Sequence, residues 1–373
     1  MGEGVDYLKL RVKPELKDLE SYKPGKPASE LKRELGLKKV IKLASNENPY
    51  RPPRRVLEAL RRAILEVNRY PDSSCYHLRE KLSRRYGVEG NRIIFGNGSD
   101  ELVTLALRAL LDKGDEVLMA YPTFLIYHIA SKAAGLRIRR VPLKNYRYDL
   151  DAMAGAVTPT TKLIFIANPD NPTGTYVTRG EVERFLDEVP EDVIIFFDEA
   201  YFEYARDLGD YPDSLRYHDG KGNIITARTF SKAYGIAGLR VGYAIAEPSI
   251  IELMNKVRSP FNVNSLAQIA AEAALDEEEY VKRVVEKTEK GKRQLYEGLK
   301  DLGLEYIPSA ANFVLIRLGG GAAAIAQELM MKGIITRYMG PWGLPEHIRV
   351  TVGTEEENRV FLKALGESIK VLR

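Results

Sequence analysis

The stretch Thr229-Phe-Ser-Lys-Ala-Tyr-Gly-Ile-Ala-Gly-Leu-Arg-Val-Gly242 gathers residue types that could do chemistry together. A lysine amine forms a Schiff base with an aldehyde once a low-polarity setting lowers its pKa. Lys232 follows an apolar run, Ile224-Ile225-Thr226-Ala227, that reads as a buried strand. Thr229, Ser231 and Arg240 add hydroxyl and guanidinium donors of the kind that hold a phosphate. Taken alone, the same residues also describe a solvated lysine in a polar loop. The rest of the chain has to decide.

Upstream, four more polar clusters each follow an apolar run. Residues 92–95 end in Gly96-Asn-Gly98-Ser99-Asp100, and residues 116–120 in Tyr121-Pro-Thr-Phe124. Residues 162–167 end in Asn168-Pro-Asp-Asn171-Pro-Thr-Gly174, and residues 193–197 in Asp198-Glu-Ala-Tyr201. Helical stripes separate them, such as Leu102, Leu105, Ala106 and Ala109, and Thr178-Arg-Gly-Glu181 is a capping box. Strands apolar on both faces that alternate with helices predict a mainly parallel sheet covered on both sides. Ligands of such sheets bind beyond the strand C-termini, so the five clusters should converge on one crevice. The glycines at 96 and 98 are not a dinucleotide fingerprint, because Glu101 stands where a third glycine is needed.

After Pro248 the pattern changes to helices with short strands. A charged helix is expected over 277–302, with strands over 312–317, 334–337 and 347–352, which makes a smaller α+β domain. The expected division is an arm with part of the small domain at 1–45, a large domain at 46–258 and a small domain at 259–373.

Composition narrows the function classes. The 373 residues are 45% hydrophobic and 29% charged, with a dispersed net charge of +4, which gives no nucleic-acid footprint. No signal-peptide pattern or membrane-length apolar run is present, and one cysteine, Cys75, excludes an intrachain disulfide. The four histidines lie far apart and show no metal-ligand spacing. The expectation is a metal-free cytoplasmic protein without membrane or nucleic-acid partners.

The five clusters match what a pyridoxal phosphate site requires. The aldehyde needs a lysine, Lys232, and the pyridine nitrogen needs a carboxylate, Asp198, so that the ring can act as an electron sink. Tyr201 and Asn171 suit the 3′ oxygen, and Phe124 offers a stacking face. Gly98-Ser99-Asp100 at a helix start, with Thr229, Ser231 and Arg240, suits the phosphate. Each has a plainer reading as turn, cap or core; their recurrence at successive strand ends has none.

On these motifs the chain resembles the fold-type I, pyridoxal-phosphate-dependent aminotransferases, from about Tyr22 to the C-terminal helix. Asn171-Pro-Thr-Gly174, Asp198-x-x-Tyr201, Ser231-Lys232 and Arg240 carry the likeness. Within the family it is most similar to histidinol-phosphate aminotransferases, through Tyr22-Lys-Pro-Gly-Lys-Pro, Asn46-Glu-Asn-Pro, Arg69-Tyr70-Pro71-Asp72 and Ile348-Arg349-Val-Thr-Val-Gly353. The resemblance implies an aspartate-aminotransferase-like fold and a homodimer in which Tyr70 reaches the partner's cofactor phosphate. It implies that Asn46, Arg337, Arg349 and Tyr22 serve the substrate, the last three at its anionic end. It also implies ping-pong transfer between histidinol phosphate and 2-oxoglutarate, giving imidazole-acetol phosphate and glutamate in histidine biosynthesis. The departure is Phe124, where the family has a tyrosine: stacking is kept and a hydroxyl lost. Threonine-phosphate decarboxylases and aromatic or broad-range aminotransferases share the cofactor residues and are the alternatives. A regulator built on such a domain carries a DNA-binding module ahead of it, and fewer than 50 residues precede Asn46.

Overall fold

The computed structural model describes residues 13–17, 19–21 and 25–372. Its centre is a seven-stranded sheet in the spatial order Ile93–Gly96, Gly242–Ile245, Ile224–Thr229, Ile194–Asp198, Thr161–Ala167, Glu116–Tyr121 and Arg137–Pro142. Gly242–Ile245 alone runs opposite to the other six strands. Helices cover both faces, so the middle strands bury both sets of side chains. Ile164, Phe165, Ile195, Phe196, Phe197 and Ile225 are essentially inaccessible.

Two of these strands escape a search for apolar runs. Arg137–Pro142 lies at the sheet edge and reads Arg-Ile-Arg-Arg-Val-Pro. Its outward arginines are the charge that keeps an edge from pairing with another chain, and they mask the strand in sequence. Gly242–Ile245 is four residues long and opens on a glycine pressed against the next element. A Cβ on Gly242 would lie 2.7 Å from the Ser99 amide nitrogen. The strand therefore abuts the start of the helix Ser99–Leu110, and only glycine fits.

A second, antiparallel sheet orders Arg337–Tyr338, His347–Thr351, Phe313–Arg317 and Glu305–Ile307. The long helix Glu278–Asp301 and the last helix, Glu355–Leu372, run beside each other. Thr354 caps the latter through Glu357, with the Glu357 amide donating to the Thr354 hydroxyl at 3.3 Å. The expected strand over 334–337 is corrected. Ile334–Ile335 pairs in parallel with Ile41–Lys42, whereas Arg337–Tyr338 joins the antiparallel sheet. Ile334 and Ile335 are buried and Arg337 and Tyr338 half-exposed, so the two halves meet different surroundings and the ladder breaks at Thr336.

Candidate active site

The strand ends do converge. A cavity of about 170 Å³ is lined by Asn46, Ser99, Asp100, Phe124, Asn171, Asp198, Tyr201, Thr229, Ser231, Lys232, Arg240 and Arg349, which are expected site residues from seven separate stretches. Tyr127, Trp342, Ser45, Ala167, Pro169 and Ala200 complete the lining.

At one corner lie the donors for an anion. Gly98 precedes the helix Ser99–Leu110 with a φ of 81°, open only to glycine at low cost. The Arg240 guanidinium crosses it so closely that a Cβ there would sit 2.3 Å from Nη2. Arg240 itself takes a φ of 59°, costly for a side-chain-bearing residue and typical of functional sites. Its Nη1 donates to Ser231 Oγ at 3.3 Å, and Thr229 Oγ1 donates to Ser231 Oγ at 3.0 Å. Its Nη2 also lies 3.6 Å from Asp100 Oδ2, so the aspartate steadies the arginine from the helix side.

Asp198 marks another corner, 5% exposed at the end of its strand. Burial pushes its carboxyl up to about 6, and hydrogen bonding holds it below what burial alone would give. Those bonds come from Tyr127, whose hydroxyl donates to Oδ2 at 2.6 Å, and from the Ala200 amide to Oδ1 at 3.2 Å. Sequence reasoning missed Tyr127. The available signal was its place three residues after Phe124, one turn along the same helix.

Lys232 stands between the corners. Burial pushes its amine down to about 8, and the positive charge of Arg349 adds to the effect. The amine lies 5.5 Å from the centre of the Tyr201 ring. Tyr201 Oη accepts from Asn46 Nδ2 at 2.8 Å, and the Asn46 amide donates to Thr351 Oγ1 at 2.9 Å. Asn46 therefore ties a strand-end tyrosine of the large sheet to a strand of the small one.

The two arginines stand opposite each other in the ladder, Arg337 against Arg349. Arg349 is 5% exposed and donates to Asn171 Oδ1, and to the Ala44 carbonyl at 2.9 Å. Arg337 faces a second cavity of about 650 Å³, with its guanidinium 4.6 Å from the Trp342 ring centre. Phe124 and Trp342 line both cavities, so these rings separate the two guanidiniums. Trp342 was also missed, since a lone tryptophan between prolines and glycines carries no periodic signal.

One expected residue is not described and another lies elsewhere. Tyr22 falls outside the described residues. Tyr70 does not line its own chain's cavity; it is 82% exposed and stacks on Phe261 at 4.7 Å. Among the described residues no group of three or more His, Cys, Asp or Glu could hold a metal ion.

Residues 38–365 match the profile of the family "Aminotransferase class I and II". A histidinol-phosphate aminotransferase of Carboxydothermus hydrogenoformans is 47% identical over 361 residues, covering 97% of this chain and all of that one. The solved structure of histidinol-phosphate aminotransferase from Sinorhizobium meliloti in complex with pyridoxal-5′-phosphate superposes with a TM-score of 0.89 at 31% identity. It covers 97% of this chain and 98% of the other. Aspartate aminotransferase from Thermus thermophilus superposes at 0.81 over 96% of this chain and 99% of that one; at 22% identity it speaks for the fold alone. The fold is thus the expected aspartate-aminotransferase-like one, and the chain belongs to the class I and II aminotransferases.

Proposed function

We propose that the chain transfers an amino group between histidinol phosphate and 2-oxoglutarate, with pyridoxal 5′-phosphate held in the smaller cavity. The observation that carries this reading is the cavity's three corners: an amine, a buried carboxylate and an anion cradle. Full-length relatives named for histidinol phosphate support the substrate.

The donor set fits the cofactor. A phosphate suits the helix start at Ser99 with Thr229, Ser231 and Arg240, in a cradle that a Cβ on Gly98 would block. A cationic ring nitrogen suits Asp198, which forms no ion pair among the described residues. When bound, pyridoxal 5′-phosphate supplies an aldehyde for the amine and a ring that accepts the electron pair of a broken Cα–H bond.

The chain's own residues do the rest. Lys232 Nζ, with its pKa lowered to about 8, takes the proton from the substrate α-carbon and delivers it beyond the transferred nitrogen. Asp198 holds the ring-nitrogen proton. Tyr201 and Asn171 serve the 3′ oxygen, with Asn46 orienting the Tyr201 hydroxyl. Phe124 gives one ring face. Arg349 serves both substrates, taking the phosphate of one and a carboxylate of the other, while Arg337 and Tyr22 favour the phosphate.

The same reading makes the unit a homodimer with shared sites. Ile64, Leu65, Val67, Tyr70 and Phe261 are exposed, a patch that a second copy would cover while bringing Tyr70 to the neighbouring phosphate. A fully active monomer in sedimentation would remove this part. Residues 46–258 as the cofactor domain, 259–373 as the small domain and 1–45 as the arm belong to the proposal. So does a cytoplasmic setting, supported by the single cysteine. Among the described residues no helix is long and apolar enough to cross a membrane.

The test offers cofactor-loaded protein histidinol phosphate, phosphothreonine and aromatic amino acids, and measures keto acid against carbon dioxide. Histidinol phosphate should lead in kcat/KM by at least about tenfold, a ratio that pocket contacts can supply. Carbon dioxide from phosphothreonine, or a preference for tyrosine, would replace the substrate while leaving the cofactor reading in place.

A further inference from the structure

Tyr127 has no part in the chemistry above, yet it is fully buried against the cavity. Its ring lies face to face with Phe165 at 4.4 Å and edge-on to Phe124 at 5.5 Å, so its direction is fixed by packing. The hydroxyl at the end of that locked ring donates to Asp198 Oδ2 at 2.6 Å, the distance of a charge-assisted bond. We propose that Tyr127 is a positioning residue whose hydroxyl keeps the Asp198 carboxylate ionised and aimed into the cavity.

The surroundings of Asp198 give the hydroxyl this weight. Burial works against the charge, and Asp100, on the helix Ser99–Leu110, repels it. Lys232 attracts it from beyond the strand Ile224–Thr229, and the Ala200 amide supplies a single bond at 3.2 Å. After burial, the bond from Tyr127 is the largest influence on the group. The proton stays with the tyrosine, because burial and the neighbouring carboxylate push the phenol well above its usual range. Tyr127 therefore acts as a fixed donor and not as a base. A carboxylate that keeps its charge in a dry site can pair with a cationic ring nitrogen; one that has taken up a proton cannot.

The plainer view is that a buried hydroxyl and a buried carboxylate simply satisfy each other. The two views differ when the hydroxyl alone is removed. In cofactor-free protein, the carboxyl of Asp198 is followed by carbon NMR against pH and assigned with Asp198→Asn. Tyr127→Phe should raise its midpoint by about one pH unit, the size expected for a lost bond to the charged form. In protein loaded with nitrogen-labelled cofactor, the ring nitrogen should move toward its neutral position. Turnover should fall at least about tenfold with KM little changed, and Tyr127→Phe should add nothing in the Asp198→Asn background. An unmoved Asp198 midpoint in folded Tyr127→Phe, or additive losses in the double variant, would overturn the proposal. If Tyr127→Phe does not fold, a fluorinated tyrosine at 127 keeps the volume and makes a more acidic donor. The midpoint should then move down, and no movement overturns the proposal equally. Only the role toward the ring nitrogen rests on the function proposed above. A shifted midpoint in a protein inactive on every substrate would fault that function and leave this inference standing.

Discussion

Asp198 and Glu199 are adjacent, almost wholly buried carboxylates at the end of the same strand, and they meet different company. Glu199 accepts from Arg228 Nε at 2.9 Å and Nη2 at 2.7 Å, and from the Ser214 amide at 3.0 Å. Burial opposes the Arg228 charge, but Glu199 together with Tyr86, Tyr243 and Asp213 more than offsets this and holds the guanidinium protonated. Asp198 has instead a neutral tyrosine, one amide and an open cavity. The contrast separates two uses of a buried charge. Where the chain supplies the opposite charge, the pair knits the sheet to the loop below it. Where the chain withholds it, the negative charge is left for a cation that arrives with a ligand.

The comparison can be broken by experiment, beginning with the largest effect. Asp198→Ala should keep cofactor, seen as visible absorbance, yet lose at least about 10³ in kcat, or roughly 4 kcal/mol of barrier. Near-normal turnover would end the functional half of the contrast. Glu199→Gln should act on stability instead. It removes the fully buried one of the two carboxylates that pair with Arg228, Asp213 at 2.6 Å being the other, and should cost about 3–5 kcal/mol in urea unfolding, with turnover per folded molecule close to wild type. A negligible change in the urea midpoint would show that this pair is not structural.

Arg349→Ala should lower kcat/KM for both substrates by an amount equal to about 2–5 kcal/mol. Arg337→Ala, across the ladder, should do so mainly for histidinol phosphate. Equal losses from both variants on both substrates would mean that the rings of Phe124 and Trp342 do not divide two functions.

The smallest effect sharpens the contrast most. Burial raises the folded-state carboxyl of Asp198 from 3.8 to about 6. The folded protein therefore binds more protons than the unfolded chain between those values, and stability falls as pH rises through that window. Asp198→Asn removes this penalty. In cofactor-free protein it should stabilise by about 1–3 kcal/mol at pH 7.5, with the gain fading toward pH 4. Neighbouring acid-to-amide changes would then carry opposite signs, and a destabilised Asp198→Asn would refute the idea of a withheld charge.

Most of the site was legible because strand-end chemistry is local. An apolar run, a turn and a polar cluster identify Lys232, Asp198, Asn171 and Gly98 without any knowledge of packing. What was hidden depends on neighbours far away in sequence. Tyr127 looks like one more core residue on an apolar helix face, and only Asp198, 71 positions later, makes it polar in function. Arg337 and Arg349 read as a pair of like charges, and nothing in their spacing shows that Trp342 stands at a wall between two cavities. The edge strand Arg137–Pro142 was hidden by the arginines that protect it, and the break at Thr336 by a run of residues that all favour strands.

The clasp around Asn46 also bears on how the chain is made. Ile41–Lys42 finds its strand partner at Ile334–Ile335, and the Asn46 amide finds Thr351, 305 positions further on. On the ribosome these early residues emerge long before their partners, so the large sheet must assemble while the segment that finishes its tyrosine waits unclasped. Such long-range pairing is slow, and it exposes apolar surface until it is complete. The growing chain can therefore hold its lysine and its aspartate in place well before it holds a finished site, and its competence comes almost with its last strand.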